Sequence, residues 1–253
     1  MIVIFGATGN VGGKVARKLS EKDVPFLGVA SQNSAHPETT KLKKGNLMNP
    51  AFLEQILHQA EAVFIILPES LYAQGLEYAS LLVKTIEKST VTHVVNISNA
   101  ITHRNGKPTL LNQLEQELNR LESVHIKHLR CANFFENLNL GLSNGYNGDL
   151  KLPYISTHEV AHFASEYLIH RNFSGHTIEE LHGPADYSMN DFATITGVPF
   201  VQQELTEENR TFYEPFNNGQ FRMAERTIHN TTSLPQPEFY LDHFFEKESN
   251  LKI

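Results

Sequence analysis

The sequence has 253 residues, of which 40% are hydrophobic and 19% charged, so it is long and apolar enough to bury a substantial core. Its formal net charge of −7, without any Lys- or Arg-rich block, argues against direct binding to nucleic acid, whose phosphates repel an acidic surface. The single cysteine, Cys131, excludes an intrachain disulfide and favours a reducing compartment.

The first half of the chain alternates short β-rich runs with amphipathic segments. The run AVFIIL at residues 62–67 is unbroken by polar residues, which is typical of a strand buried on both faces of a sheet. The pattern predicts strands at residues 2–5, 25–30, 62–67, 91–97 and 126–129, and helices at residues 10–21, 51–59, 71–88 and 110–121. Because such alternation produces parallel βαβ units, we expect an α/β fold with a doubly wound parallel sheet, the Rossmann fold.

The alternation ends near residue 132. The segment NGYNGD at 144–149 is rich in turn residues, residues 157–170 have a helical pattern, and short β and α pieces follow. Aromatic residues become frequent there, at Phe212, Tyr213, Phe216, Phe221, Phe239, Tyr240, Phe244 and Phe245. We therefore predict a Rossmann domain over 1–132, with 151–172 packed back on it, and a smaller irregular α+β lobe over 133–253.

The chain opens directly on a strand. MIVIF runs into glycines without a basic leader, and no later apolar run approaches the roughly 18 residues of a membrane span. We therefore expect a cytoplasmic protein that does not bind membranes.

Three glycines follow this first strand at equal spacing, within IFGATGNVGGKV at residues 4–15. In such a turn Gly6 permits the sharp bend, Gly9 lets the backbone approach a pyrophosphate, and Gly12 lets the helix pack closely on the strand. The free N–H groups at the helix start attract the anion. The turn predicts a dinucleotide site that comprises Gly6, Thr8, Gly9, Asn10, Val11 and Gly12; the alternative is a glycine-rich connection without a ligand.

The spacing G-x-x-G-x-x-G resembles the opening of extended and atypical short-chain dehydrogenases/reductases, especially the NmrA-like NAD(P)-binding group. Six further segments resemble motifs of that group in the same order: GNL (45–47), AVFIILP (62–68), HVVNIS (93–98), HLRCANFFENL (128–138), YISTHEVAHFA (154–164) and ELHGPADYSMNDFA (180–193). The resemblance implies that Asn46 and Leu47 lie beside the adenine. It also implies that Leu67 and Pro68 belong to the loop over the nicotinamide, and that Asn133 and Phe134 line the turn facing it.

A second motif, HEVAH at 158–162, matches the zinc-metalloprotease pattern H-E-x-x-H. His158 and His162 would share a helix face, but a zinc site also needs a third ligand, and the longer metzincin pattern fails because Ser165 occupies its glycine position. In the NmrA-like group this segment opens a helix packed on the sheet. We therefore interpret HEVAH as a chance match and expect no metal.

The end of the second strand bears on the choice of nucleotide. A dedicated NAD site usually places Asp or Glu there for the ribose, whereas this chain has Ser31, Gln32 and Asn33. These residues can donate hydrogen bonds and do not repel a 2′-phosphate, and Lys41, Lys43 and Lys44 follow. We expect NADP(H) to be slightly preferred over NAD(H), with use of both left open.

Short-chain dehydrogenases usually catalyse with a Tyr and a Lys four residues later, in the motif Y-x-x-x-K. This pair is missing here, because none of the eight tyrosines has Lys at that position. Some NmrA-like reductases instead carry a Lys in the helix before the sixth strand, but LLNQLEQEL at 110–118 has none. Ser98, at the end of the fifth strand, is the remaining catalytic candidate, although an ordinary strand-end serine is an equal alternative.

Two functions fit these features. The first is an NAD(P)H-dependent oxidoreductase that reduces a small apolar acceptor, a quinone or an activated carbonyl. The second is a non-catalytic redox sensor that binds NAD(P) and acts through a regulatory protein partner, as some NmrA-like proteins do. Either is compatible with a monomer or a homodimer.

Overall fold

The computed structural model describes residues 1–36, 39 and 41–232, with the backbone alone at 139 and 140. Within these ranges the strands are β1 Ile2–Phe5, β2 Phe26–Ser31, β3 Leu42–Gly45, β4 Ala62–Ile65, β5 His93–Asn99, β6 Ile101–Arg104, β7 Lys107–Pro108, β8 His125–Cys131, β9 Asn133–Phe134, β10 Ser143–Asn144, β11 Leu152–Ile155, β12 His176–Leu181, β13 Asp186–Tyr187, β14 Val201–Gln202 and β15 Phe221–Met223.

The α-helices are α1 Asn10–Glu21, α2 Pro50–Leu57, α3 Gly75–Ile86, α4 Leu110–Leu118, α5 Thr157–His170, α6 Met189–Thr196 and α7 Glu207–Asn217, and two 3₁₀ segments span Glu69–Gln74 and Phe135–Leu140. No helix in the described part of the chain combines the length and apolarity needed to span a bilayer.

Seven strands form the central sheet, in the order β12-β8-β5-β4-β1-β2-β3. The pairs β1–β2, β1–β4, β2–β3 and β4–β5 are parallel. The chain moves outward from β1 to β3 and then crosses back to β4 on the other side of β1. This reversal confirms the doubly wound fold, in which ligands bind beyond the carboxyl ends of the strands at the reversal point. The glycine turn follows β1 at that point.

The core of the first compact unit lies between this sheet and helices α2, α3 and α4. Val3 and Phe5 of β1 and Val63 and Ile65 of β4 are all fully buried in it. Because every residue of β1 and β4 is buried, these strands are covered on both faces, as the unbroken apolar run predicts. This unit consists of Met1–Asn99, Leu110–Arg130 and Val160–Glu179.

Among the described residues the second compact unit consists of Ala100–Thr109, Cys131–Glu159 and residues 180–232. Its own core is aromatic: the Phe135 and Tyr154 rings stack with centroids 5.7 Å apart, and Phe192 lies edge-on to Tyr154 at 4.8 Å. A second aromatic group joins Tyr146 to Tyr213 and Phe216, with centroids 4.9 and 5.4 Å apart. Of the predicted aromatic residues, Phe239, Tyr240, Phe244 and Phe245 lie outside the described residues.

Helices α1 and α5 have the boundaries predicted from the sequence, and the other predicted helices of the first half are shifted or shortened by a few residues. Two strands of the central sheet were not predicted. β3 (LKKG) carries two lysines, and β12 (HTIEEL) alternates exposed and covered side chains. Both are edge strands of the sheet, where exposure removes the apolar run that identifies a central strand.

Candidate functional site

The turn after β1 is shaped by backbone geometry. Gly6 adopts φ +67°, in the left-handed region that favours glycine, and a Cβ there would lie 2.8 Å from the Ile66 side chain. The Gly9 N–H donates to the Gly6 carbonyl at 2.9 Å and closes the turn, while the Ala7 N–H donates to Val29 O at 3.1 Å. The turn is therefore fixed against β2, and the bend at Gly6 agrees with the prediction.

Gly12 permits the close approach of α1 to the turn. A Cβ at this position would lie 2.3 Å from the Gly6 carbonyl oxygen and 3.2 Å from Phe5 O. Backbone atoms cannot move away as a flexible side chain would, so only glycine fits without shifting the helix. This confirms the packing role predicted for Gly12.

The start of α1 is compatible with a bound diphosphate. Gly9 caps the helix in an extended conformation, with φ −88° and ψ 176°, and the first turn contains no acidic residue. Gly9 and Asn10 are exposed. A Cβ added to Gly9 would meet only the Gly6 oxygen, at 3.2 Å, so the space beside it is otherwise open to 4 Å. Helix N-termini attract anions through their N–H groups.

The remaining residues around this turn are Thr8, which is half-buried, and Val11, which is buried at 2% exposure. One turn further along α1, the Lys14 ammonium donates to the Asn10 side chain. A cation therefore lies near the exposed start of the helix.

The carboxyl ends of β2 and β3 lie side by side, with Ser31 paired with Gly45 in register. Ser31 and Gln32 are exposed, as the prediction of an adenosine contact requires. The Lys44 ammonium, one residue before the end of β3 on the same edge, donates to the Ser34 carbonyl. Lys44 thus places a positive charge next to the β2 end, an arrangement that the lysine spacing alone did not single out.

The predicted adenine and nicotinamide contacts have mixed exposure. Asn46 is exposed, and its Oδ1 accepts the Met48 N–H at 2.9 Å. Leu47 and Leu67 are 5% and 4% exposed, so their side chains belong to the core. Pro68 is half-buried, and its carbonyl accepts the Leu71 N–H at 2.9 Å where the first 3₁₀ segment begins.

Ser98 lies near the carboxyl end of β5 and is only 2% exposed. Its hydroxyl has no hydrogen-bond partner among the described residues. Buried hydroxyls are nearly always paired, so an unpaired one at the ligand-binding edge of the sheet is consistent with a partner supplied by a ligand.

Two residues before Ser98, Asn96 pairs through its amide nitrogen with a buried histidine, while its Oδ1 has no partner among the described residues. The His128 ring is fully buried, with Nδ1 3.1 Å from Asn96 Nδ2 and Nε2 3.0 Å from Asn119 Oδ1. Burial, the largest cause, lowers the pKa of His128 to about 4. The imidazole is therefore neutral, with Nδ1 accepting from the Asn96 amide and Nε2–H donating to Asn119.

The motif HLRCANFFENL is divided between the two units, and its charged residues serve local structure. In the first unit Arg130 forms a two-pronged ion pair with Glu115 of α4, at 2.9 Å from Nε to Oε1 and 2.7 Å from Nη2 to Oε2. In the second unit the Glu136 carboxylate accepts the Thr157 N–H at 3.0 and 3.1 Å, so it occupies the N-terminus of α5. Sequence analysis missed both roles, because the partners are 15 and 21 residues away in the chain.

Asn133 and Phe134 form β9 in the second unit. They pair with Tyr154 and Ile155 of β11, and both side chains are half-buried. The Asn133 amide nitrogen lies 3.4 Å from Pro153 O. Cys131, which the sequence predicts as a small buried residue, is 3% exposed.

The HEVAH segment begins α5, as the family resemblance predicts. Glu159, the glutamate of the motif, is 2% exposed, and its Oε1 accepts the Thr232 hydroxyl at 2.9 Å. Within the described residues no group of three or more His, Cys, Asp or Glu side chains is arranged to hold a metal ion.

Five of the tyrosines in the described part of the chain have a raised pKa, which does not suit a catalytic acid of the Tyr–Lys type. Burial is the first cause that raises the pKa values of Tyr72, Tyr78, Tyr146, Tyr154 and Tyr167. Lys127 lies 4.7 Å over the Tyr167 ring, but the Tyr167 hydroxyl donates to the Glu179 carboxylate. A nearby carboxylate disfavours the phenolate, so Lys127 does not activate this tyrosine.

Comparison with known proteins agrees with this geometry. Residues 6–140, just over half of the chain, match the profile of a family described as NAD(P)H-binding. The chain belongs to the NAD(P)H-binding family. This membership confirms the predicted NAD(P)-binding family. No curated protein matched the chain in a sequence search.

Solved structures with the same fold include other members of the NAD(P)-binding Rossmann class. A nucleoside-diphosphate-sugar epimerase from Staphylococcus aureus is 16% identical, with a TM-score of 0.76 and coverage of 97% of this chain and 99% of that chain. The triphenylmethane reductase of Citrobacter sp., complexed with NADP(H), is 17% identical, with a TM-score of 0.74 and coverage of 97% and 99%.

A third similar structure is the NADPH-dependent quinone oxidoreductase of Escherichia coli, complexed with NADPH. It is 20% identical, with a TM-score of 0.65 and coverage of 83% of this chain and 80% of that chain. At these identities the likeness establishes the fold of this NAD(P)H-binding protein.

Proposed function

We propose that this chain is a cytoplasmic NAD(P)H-dependent oxidoreductase that reduces a small apolar acceptor, a quinone or an activated carbonyl. The observation that carries the proposal is the exposed start of α1, where Gly9 leaves open space and the first turn contains no acidic residue. The family match and the fold shared with quinone and triphenylmethane reductases support it.

A bound dihydronicotinamide supplies two electrons as a hydride, and the acceptor takes up a proton as well. The residues of this chain bind and orient: the first-turn N–H groups of α1 hold the diphosphate, and the Ser98 hydroxyl donates a hydrogen bond to an oxygen of the bound ligand. Because a quinone or activated carbonyl accepts hydride readily, the proton can come from water. The reaction then does not require the missing Tyr/Lys pair.

We assign NADP(H) as the preferred cofactor on the basis of Lys44. Its ammonium lies at the end of β3 beside the β2 edge, and Ser31 and Gln32 offer hydrogen bonds without a carboxylate. Replacing Lys44 with Gln should weaken NADPH binding about tenfold, equivalent to about 1.4 kcal/mol, and leave NADH binding unchanged. Lys43, which is exposed on the same strand, provides the matched control as Lys43→Gln. Equal losses for both nucleotides would contradict the assignment.

The first experiment is a thermal-shift measurement with NADPH, NADH, NADP⁺ and NAD⁺. A nucleotide at 100 times its dissociation constant should stabilise the fold by about 2.7 kcal/mol. In Gly9→Val the branched side chain fills the space beside the helix start, and the shift should disappear. Gly13→Ala is the control, because its Cβ would meet Ala7 O at an ordinary 3.4 Å. A full shift in Gly9→Val would exclude this turn as the binding site.

The second experiment tests the reaction. NADPH oxidation should accelerate severalfold with members of a panel of quinones and aldehydes, and Ser98→Ala should lower the rate about tenfold, the effect of losing one hydrogen bond in the transition state. A flat rate across the panel would exclude the enzyme but not cofactor binding.

The tyrosine environments favour a second candidate, the NAD(P) redox sensor, because burial raises the pKa of Tyr72, Tyr78, Tyr146, Tyr154 and Tyr167, which opposes their use as catalytic acids. The sensor would act through a regulatory protein partner. A partner recovered at one NADP⁺/NADPH ratio and lost at the other, combined with a flat oxidation rate, would select this function.

A further inference from the structure

The second unit contains a cavity of about 530 Å³ that the proposed reaction does not use. It is lined by His182, Asp186 and the segment Phe221, Arg222, Met223, Ala224, Glu225 and Arg226. The volume lies within the range of small-molecule sites, about 300–1,000 Å³.

His182 is the unusual residue of this cavity. It is fully buried, and neither Nδ1 nor Nε2 has a hydrogen-bond partner among the residues the structure describes. Its backbone, in contrast, is held on both sides: the N–H donates to Asn230 O and the carbonyl accepts the Thr232 N–H, each at 2.7 Å. A fixed backbone with an unpaired buried ring destabilises the fold, unless a ligand provides the partners.

The wall beside His182 is held in place by Arg226. Its guanidinium pairs with the Asp186 carboxylate, with Nε 3.1 Å from Oδ1, and also donates to the Gly183 carbonyl. This clamp joins the loop after His182 to the segment after β15. The cavity therefore has a preformed wall, and the charge of Arg226 is neutralised by Asp186.

Besides the Arg226–Asp186 pair the lining contains Glu225 and Arg222, and Arg222 supplies its unpaired positive charge. It belongs to β15, which pairs with β6, and its side chain is exposed. Among the described residues its guanidinium forms no hydrogen bond or ion pair, whereas its backbone pairs with β6 and accepts the Thr102 hydroxyl. Its neighbours Phe221 and Met223, also in the cavity lining, are half-buried and apolar.

We propose that this cavity is a binding site for a hydroxyaryl carboxylate, whose hydroxyl bonds the His182 ring and whose carboxylate pairs with the Arg222 guanidinium. The aromatic ring would lie against Phe221 and Met223, and methionine and aromatic side chains pack well on such rings. Burial lowers the pKa of His182, which keeps the imidazole neutral. A neutral imidazole has one donor and one acceptor, and a phenolic hydroxyl can pair with either.

The test compares 4-hydroxybenzoate with benzoate and phenol, by calorimetry on the full chain. The complete ligand should bind at least tenfold more tightly than either fragment. His182→Leu should abolish the preference over benzoate, since the hydroxyl then has no partner. Arg222→Gln should abolish the preference over phenol. His58→Leu is the control; His58 is exposed at the C-terminal end of α2 in the first unit, and this substitution should change neither preference.

A melting measurement separates a ligand-binding role from a structural one. If His182 is retained for a ligand, His182→Leu should melt at the same temperature as the parent or higher, because an unpaired buried polar group is removed. A lower melting temperature with unchanged ligand preferences would overturn the proposal, as would failure of all three compounds to bind. Should His182→Leu not fold, Arg222→Gln alone decides the carboxylate contact.

Gly9→Val distinguishes this site from the dinucleotide site. The variant should bind 4-hydroxybenzoate with unchanged affinity, whatever its effect on NADPH. Loss of 4-hydroxybenzoate binding in Gly9→Val would mean that the compound occupies the glycine turn, and would refute the second site.

Discussion

Helices α1 and α5 each begin at a motif that stands out in the sequence, but their first turns differ in charge. Glu136 places its carboxylate on the Thr157 N–H at the start of α5, and Glu159 follows within the first turn. The start of α1 has a glycine cap and no acidic residue in its first turn. Both helix ends attract negative charge. At α5 the chain supplies that charge itself, whereas at α1 it leaves room for an external anion.

HEVAH and the glycine turn each match a known sequence pattern, but the difference in charge and burial leads to opposite conclusions about ligand binding. In HEVAH the glutamate is buried and bonded to Thr232, so its polar atoms contribute to the internal structure. The glycines of the turn have no side chains to cover the start of α1, so its exposed backbone N–H groups remain available to a ligand. A motif indicates a ligand site only where the fold leaves its polar groups without partners inside the chain.

Among the substitutions that test this comparison of α1 with α5, Gly12→Val should have the largest effect on stability. Its side chain would collide with the Gly6 carbonyl, 2.3 Å from the Cβ position, and should destabilise the fold by about 4 kcal/mol. Urea denaturation measures the change. Gly13→Ala, which removes a flexible helical glycine, should instead stabilise by about 0.5–1 kcal/mol. Normal stability and normal NADPH binding in Gly12→Val would show that the dinucleotide site does not need the close approach of α1 to the glycine turn.

The next largest effect is a dependence of the free energy of unfolding on pH, which comes from the buried and internally paired His128. The pKa of His128 is about 4 in the folded state and ordinarily 6.5, because burial disfavours the charged ring. Between these pH values the unfolded chain binds a proton at His128 that the folded chain does not bind. The contribution of His128 to the free energy of unfolding is therefore fully present above pH 6.5. About 3 kcal/mol of that contribution is lost as the pH falls to 4.

Replacing His128 with Gln isolates this contribution from other histidines whose pKa is also lowered by burial, such as His93 and His162. The stability advantage of the parent chain over His128→Gln should shrink as the pH falls from 7 to 4. Stability curves that stay parallel over this range would show that His128 is not held neutral by its surroundings.

Glu136→Gln should produce a smaller change, at the acid-capped helix. The amide keeps the shape of the side chain but removes the charge from the start of α5, so the free energy of unfolding should fall by about 1–2 kcal/mol. NADPH binding should be retained. Glu69→Gln, at an exposed position, is a control for the loss of a surface carboxylate. Unchanged stability in Glu136→Gln would mean that the carboxylate is not what stabilises this helix end.

The smallest predicted effect comes from a substitution that gives the first turn of α1 a negative charge, as the first turn of α5 already has. Asn10→Asp places a carboxylate in the exposed first turn of α1 and should leave the fold as stable as before. It should weaken NADPH binding about fivefold, equivalent to about 1 kcal/mol, by repelling the diphosphate. Equal binding by the parent and Asn10→Asp would argue that the anion lies elsewhere.

The sequence by itself determined the doubly wound sheet, the boundaries of α1 and α5, and the glycine turn. These features depend on short-range physics: apolar periodicity selects helix or strand, and the bend at Gly6 depends on a steric restriction local to that residue. The same locality explains why the edge strands β3 and β12 were missed, since exposure on one side removes the apolar run.

Only the tertiary structure decided which polar groups are paired and which remain for a ligand. Glu136 reaches the start of α5, Arg130 pairs with Glu115, and Lys44 lies beside the β2 end, although none of these partners is adjacent in the sequence. Ser98 and His182 are noteworthy for the opposite reason, because burial leaves their side chains without partners among the described residues. Pairing and burial depend on contacts between distant segments, which local sequence patterns do not encode.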